Sequence, residues 1–214
     1  MSKSFAILIM MLSVYSISIP LLSGIYRIKH LTELQRLIGL SVLLSLGGEL
    51  IGIFLAKAGI NNLYVFHTFT VLQFALLTLI MEKELVPFVS KRTLRGLMVG
   101  FTILALFDAF WWNGIENFNN YARTISSILL ISLVILFFYK TLQELRIKNL
   151  EREPLFWLSI GILIYHSGSS LIFLFSNYVK TSELALLTLW GIHAIFNIFL
   201  NISYAIALWI RPAS

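Results

Sequence analysis

The chain has 214 residues, of which 58% are apolar and 12% charged, and its mean hydropathy is +0.88. Soluble domains carry about 25% charge, so this composition excludes a water-soluble globular domain and specifies a polytopic membrane protein. The absence of cysteine excludes disulfides, thiolate metal sites and cysteine nucleophiles, and the net charge of +6 lies in short loops between apolar runs, so nucleic acid is not an expected partner.

A helix needs about 20 apolar residues to cross the hydrocarbon core of a bilayer. Seven segments qualify: 4–26, 37–57, 62–81, 95–112, 121–142, 155–178 and 185–210. The expected fold is all-α, one seven-transmembrane-helix bundle over residues 1–214, without the internal repeat that marks many transporters. The first segment has the weakly basic start of a signal peptide. It lacks a small-x-small cleavage site and carries Pro20 where cleavage would fall, so it is expected to remain as a span.

Lysine and arginine set orientation through their bias towards cytoplasmic loops. Arg27, Lys29 and Arg36 follow the first segment, and Lys83, Lys91, Arg92 and Arg95 the third. Lys140, Arg146, Lys148 and Arg152 follow the fifth, and Arg211 lies in the tail. These 12 face the 4 on the other side, Lys3, Lys57, Arg123 and Lys180. The excess predicts an N-terminus outside and a cytoplasmic C-terminus. Trp111, Trp112 and Trp190 then fall at outer ends and Trp157 and Trp209 at inner ends, as aromatic belts require.

Glu49, His67, Asp108, His166 and His193 lie inside the apolar runs. An ionisable side chain at bilayer depth costs at least ~2.5–3.5 kcal/mol on insertion scales, so it usually faces protein or water and has a partner. At 1.5 Å per residue, Asp108 lies ~6 Å and His67 ~8 Å below the outer ends of their segments. Glu49 and His193 lie ~12 Å down, and Gln73, His166 and Asn197 ~16–18 Å down. All fall in the outer half or at its floor, which predicts a polar pocket open to the outside.

Helical phase supports convergence. His193, Asn197, Asn201 and Tyr204 share one face of the seventh segment, and Ser159, His166, Ser170 and Asn177 one stripe of the sixth. Ser41, Ser45, Gly48, Glu49 and Gly52 form a ridge of mostly small residues, which lets a neighbouring helix come close to the carboxylate. His67, Thr70 and Gln73 drift around the third segment. Phe66, Trp111, Trp112 and Trp190 are expected at the mouth of the pocket, and Arg123 is expected to pair with Asp108 or Glu49. The bland reading makes Asn197, Asn201 and the serines interhelical glue, worth only ~0.6 kcal/mol per bond, and each histidine a bonded packing residue.

Three chemistries suit the set. Ligand binding or sensing asks least of the sequence, because small-molecule sites are apolar pockets with a few convergent polar groups. The ligand would be a small molecule or a lipid, and signalling would need a partner on the cytoplasmic loops. A zinc ion on His67, His166 and His193, with an open position for water, would make a hydrolase of lipid amides or esters. A chain of Glu49 and the histidines would make a proton relay in a transporter. Retinal attachment to a lysine of the last segment is excluded, since 185–210 contains none.

In span count the chain is similar to the alkaline ceramidase and adiponectin-receptor superfamily of zinc hydrolases. That family places two ligands as H-x-x-x-H in its last span, where this chain reads His193-Ala-Ile-Phe-Asn197. Residues 66–74 (FHTFTVLQF), 156–168 (FWLSIGILIYHSG) and 189–209, containing IHAIFNIFLNISYAIALW, resemble a group of small bacterial seven-span proteins common in Bacteroidetes-type genomes. The resemblance implies a multi-pass protein of the bacterial inner membrane and no particular activity. Members of that group often carry glutamate where this chain has Gln73, so a catalytic acid at that position would be missing here.

Overall fold

Seven helical segments long and apolar enough to cross a membrane make up a computed structural model that describes residues 1–86, 88–144, 149–176 and 182–211. The first is two helices, α1 (Lys3–Ser16) and α2 (Ser18–Tyr26). The break at Ile17 follows from Pro20, which has no N–H and whose ring crowds the carbonyl four residues back. Then come α3 (Glu33–Lys57), α4 (Leu63–Leu85), α5 (Lys91–Phe107), α6 (Asn120–Glu144), α7 (Pro154–Ser176) and α8 (Glu183–Trp209). Each lies within a few residues of an expected segment.

The ends are fixed by local chemistry. Thr32 opens α3 with a capping box: its hydroxyl accepts from the Gln35 N–H, and the Gln35 side chain accepts from the Thr32 N–H. The same Gln35 amide donates 2.9 Å bonds to the carbonyls of Ala207 and Ile210, and Arg27 donates to that of Trp209. The otherwise unpaired carbonyls at the end of α8 are thus met by side chains from α3 and from just past α2. Past Phe107, α5 widens into a π-turn over Asp108–Trp112, closed by the Asn113 N–H on the Asp108 carbonyl. Asp108 is completely buried there, while Trp111 and Trp112 are exposed.

Neighbouring contacts close a ring: α3 packs on α4, α4 on α6, α6 on α7, α7 on α8, and α8 on α3. The first segment packs against α8 and α3 and closes the seam between them, while α5 lies outside the ring against α4. The α7–α8 contact is the most extensive, because α7 presents Gly161 and Gly168 to it. A Cβ at Gly161 would stand 2.5 Å from the Ser203 Cβ, and one at Gly168 2.2 Å from the Phe196 ring. Small residues are what allow such close approach between membrane helices.

The half of the ring holding the start of α3 and the end of α8 is filled. Ile38, Ile80, Leu158 and Ile162 have no exposure there, and Leu208 has 1%. Around the outside, Leu22, Phe54, Ile103 and Leu142 are among many large apolar side chains left uncovered, the surface a lipid-facing bundle presents. Ion pairs lie at the helix ends: Lys83–Glu33 at 2.5 Å, Lys3–Glu183 at 2.7 Å, and Glu82 with Lys91 and Arg95 at 3.7 and 3.6 Å.

Candidate functional site

The other half of the ring encloses a cavity of about 380 Å³. Its wall draws on every membrane segment except the fourth, which carries α5. Along α4 it runs from Asn62 to Leu77, about 22 Å at 1.5 Å per residue. Small residues make the room. Gly48 and Gly52 of α3 sit against the Phe69 and Phe66 rings, where a Cβ would come within 2.9 and 3.3 Å, and Ser45, Ser126 and Ser127 line it elsewhere.

A polar knot closes the floor. The Ser41 and Tyr204 hydroxyls are 2.8 Å apart, and the Gln73 amide donates to both, at 2.7 and 3.1 Å. Three helices meet in this knot, and below it the ring is filled, mostly by apolar side chains, with Thr78 and Ser159 buried among them. Gln73 Oε1 is buried and unpartnered among the described residues. On one side Asn197 and Asn201 of α8 donate to Ser13 and Ser16 of α1, at 2.9 and 2.8 Å, so both amides are occupied as interhelical ties.

Glu49 and Arg123 both line the cavity, from helices on either side of α4. Among the described residues neither makes a hydrogen bond through its side chain, and neither has an ion pair. The Arg123 guanidinium lies 4.3 Å from the centre of the Phe173 ring and 5.8 Å from that of Phe66. A guanidinium stacked on aromatic faces keeps its N–H edge available for an acceptor. Its charge reaches Tyr165, His166 and His193, and that of Glu49 also reaches Tyr165.

Both histidines of the wall are held by hydroxyls. Ser127 donates its one proton to the Arg123 carbonyl at 2.9 Å, so across the 2.9 Å contact with His166 Nδ1 the imidazole must be the donor. That fixes the tautomer with a lone pair on Nε2, which has no partner among the described residues. His193 Nδ1 lies 3.1 Å from the Ser169 hydroxyl. Its ring is boxed by Tyr165, Phe173 and Trp190, with centroids 5.5, 5.3 and 5.6 Å away.

Of the residues singled out in the sequence, Glu49, Gln73, His166, His193 and Asn197 share this cavity, and His67 and Asp108 do not line it. His67 points to the connection before α6, its Nε2 3.0 Å from the Asn117 carbonyl. Asp108 lies on the one segment outside the ring. It accepts from the Asn113 amide at 2.7 Å and from the Ala122 N–H, in the first turn of α6, at 3.4 Å. Trp111 and Trp112 face outward at 75% and 59% exposure, so of the expected mouth aromatics Phe66 lines the cavity and Trp190 backs His193. The expected pairing of Arg123 with Asp108 or Glu49 is not formed among the described residues. Asn177 lies outside the described residues.

Zinc does not fit this arrangement. His67 is turned away from His166 and His193, and among the described residues no three His, Cys, Asp or Glu side chains come together as ligands. Arg123 was legible only as an outer-end cation. The expected segment 121–142 already contained it, but its place in the cavity wall between the Phe66 and Phe173 rings depends on how α6 packs against α4 and α7. Tyr165 gave no signal beyond standing next to His166. Comparison with protein-family models, with curated proteins and with solved structures gives no match to the chain.

Proposed function

We propose that this multi-pass membrane protein binds a small amphipathic molecule in its ring cavity, in a bacterial inner membrane with the cavity open to the outside. The carrying observation is a cavity of ligand size whose wall surface is mostly apolar and whose polar groups include two charges unpaired among the described residues. Unpaired charges at membrane depth are costly, and a ligand that met them would recover that cost as affinity. The orientation rests on the cation count, 12 against 4. A sensing output would pass through a partner on the basic cytoplasmic loops.

The packing favours binding over proton-linked transport. A relay needs polar groups through both halves of the membrane, whereas beneath Tyr204, Ser41 and Gln73 the ring is filled by Ile38, Ile80, Leu158 and Ile162. Hydrolysis has no support in the donor set described above.

The test is a binding titration read by tryptophan fluorescence, since Trp190 stands against His193 in the cavity wall. Purified protein in a neutral detergent is titrated with a panel of small amphiphiles of each charge type. Saturable quenching is expected. It should vanish in Ser126→Phe, which fills the cavity without breaking an interhelical bond, because the Ser126 hydroxyl bonds only the Arg123 carbonyl of its own helix. Non-saturating signals that are the same in both proteins would refute the reading.

A further inference from the structure

Resting on the reading of the cavity as a ligand site, we propose that the ligand is a zwitterion, with an ammonium group held by Glu49 and a carboxylate or phosphate held by Arg123. The two side chains share one cavity. Glu49 lies within a turn of Gly48 and Gly52, which pack on Phe69 and Phe66, and the Arg123 guanidinium is 5.8 Å from the Phe66 ring. Tyr165 feels the charge of both. Yet they form no ion pair with each other, nor with any other described group.

This sets them apart from other carboxylates of the chain. Glu33 and Glu183, exposed at helix ends, each hold a lysine within 4 Å, and the buried Glu82 holds Lys91 and Arg95. Asp108 has no ion pair either, but its carboxyl is met by the Asn113 amide and the Ala122 N–H, whereas the Glu49 and Arg123 side chains have neither an ion pair nor a hydrogen bond among the described residues. Opposite charges that face one cavity without touching leave room for a group that touches both.

Charge balance selects the class of that group. An anion alone would meet Arg123 but bring a second negative charge to Glu49. A cation alone would do the reverse. A zwitterion satisfies both sites and adds no net charge to a poorly solvated space. The stacking of Arg123 on Phe173 at 4.3 Å orients the guanidinium for two-pronged binding of a carboxylate or phosphate. Phe66 and Phe69 add aromatic wall beside the ammonium site, where ring faces attract cations. Two sources carry this chemistry, a free amino acid with an apolar side chain and the head group of a phosphatidylethanolamine.

The experiment is isothermal titration of the full chain in a neutral maltoside detergent. One arm uses L-phenylalanine, N-acetyl-L-phenylalanine, which lacks the cation, and L-phenylalanine methyl ester, which lacks the anion. The second uses dihexanoylphosphatidylethanolamine and dihexanoylphosphatidic acid. The arm whose zwitterion binds identifies the source. In that arm single-charge analogues are expected to bind at least tenfold more weakly. Glu49→Gln and Arg123→Gln should each abolish the discrimination, and a thermal melt of each variant reports whether it folds. The comparison within wild type needs no variant. Single-charge analogues that bind as tightly as the zwitterion would overturn the zwitterion while leaving the cavity as a ligand site. Failure of both zwitterions to bind would overturn it as well. Silence of every amphiphile in the fluorescence titration would remove the cavity reading beneath it.

Discussion

The Ser127 hydroxyl and His166 Nδ1 are 2.9 Å apart, and because that hydroxyl already donates to the Arg123 carbonyl, the imidazole is the donor between them. A serine on α6 thereby sets which nitrogen of an α7 histidine carries the proton. In protein labelled with ¹⁵N-histidine, His166 is expected to show its proton on Nδ1. Ser127→Ala removes the acceptor, so the signal should move towards the other tautomer, with a stability loss of only ~0.6 kcal/mol. An unchanged tautomer in the variant would show that another group sets it.

Asp108 acts on the frame. Its carboxylate accepts from Asn113 and from the Ala122 N–H, so it caps α6 from outside that helix. Asp108→Ala leaves a buried N–H and a half-buried amide without their acceptor, and the loss at the buried N–H alone costs ~1–3 kcal/mol. Thermal unfolding should register this. Ligand affinity of the folded fraction should stay within about twofold, since Asp108 does not line the cavity. A large loss of affinity with unchanged stability would return Asp108 to the site.

Gly161 governs how closely α7 and α8 approach. An added methyl would meet the Ser203 Cβ at 2.5 Å and a Leu200 methyl at 3.2 Å. Only a backbone shift relieves a Cβ–Cβ clash. Gly161→Ala is therefore expected to lower stability by ~1–3 kcal/mol, the usual cost of overpacking. Gly96→Ala, with open space around its Cβ, is the control and should be neutral or stabilising.

Glu153, just before α7 and outside the membrane segments, gives a pH signature. Burial, and then the Glu84 carboxylate beside it, push its carboxyl above the ordinary 4.5. The folded state therefore holds this proton more tightly than the unfolded one. The stabilisation is complete below the unfolded value and is lost as pH rises through the folded value. Melting temperature should fall as pH rises from about 4.5 into the neutral range, by roughly 1–2 °C for a partly exposed group. Glu153→Gln should flatten that fall. A slope unchanged by the substitution would assign it to other carboxylates.

The seven helices were legible because apolar run length and loop charge depend on the sequence alone. The face of α8 was legible for the same reason: a 3.6-residue period puts His193, Asn197, Asn201 and Tyr204 on one side, and all four line the cavity. The order of the helices around the ring was not. Depth along a helix says nothing about which neighbour it faces, so Asp108, at a suitable depth, landed on the one segment outside the ring. His67 shows the same gap within a helix: at i, i+3 and i+6, His67, Thr70 and Gln73 diverge to the Asn117 carbonyl, the Asn119 amide and the floor knot. Arg123 was hidden by its place near a helix end, where arginine is ordinarily a loop charge.

The absence of cysteine gives a direct test of a water-accessible cavity in the outer half of the bundle. Single cysteines are introduced at Ser126, in the cavity wall, and at Ser159, fully buried in the filled half. Spheroplasts carrying Ser126→Cys or Ser159→Cys are treated with a membrane-impermeant, positively charged thiol reagent from the outside. Ser126→Cys is expected to react and Ser159→Cys to stay unmodified. A Ser126→Cys that resists the reagent, or reacts only in inverted vesicles, would contradict an outward-facing cavity.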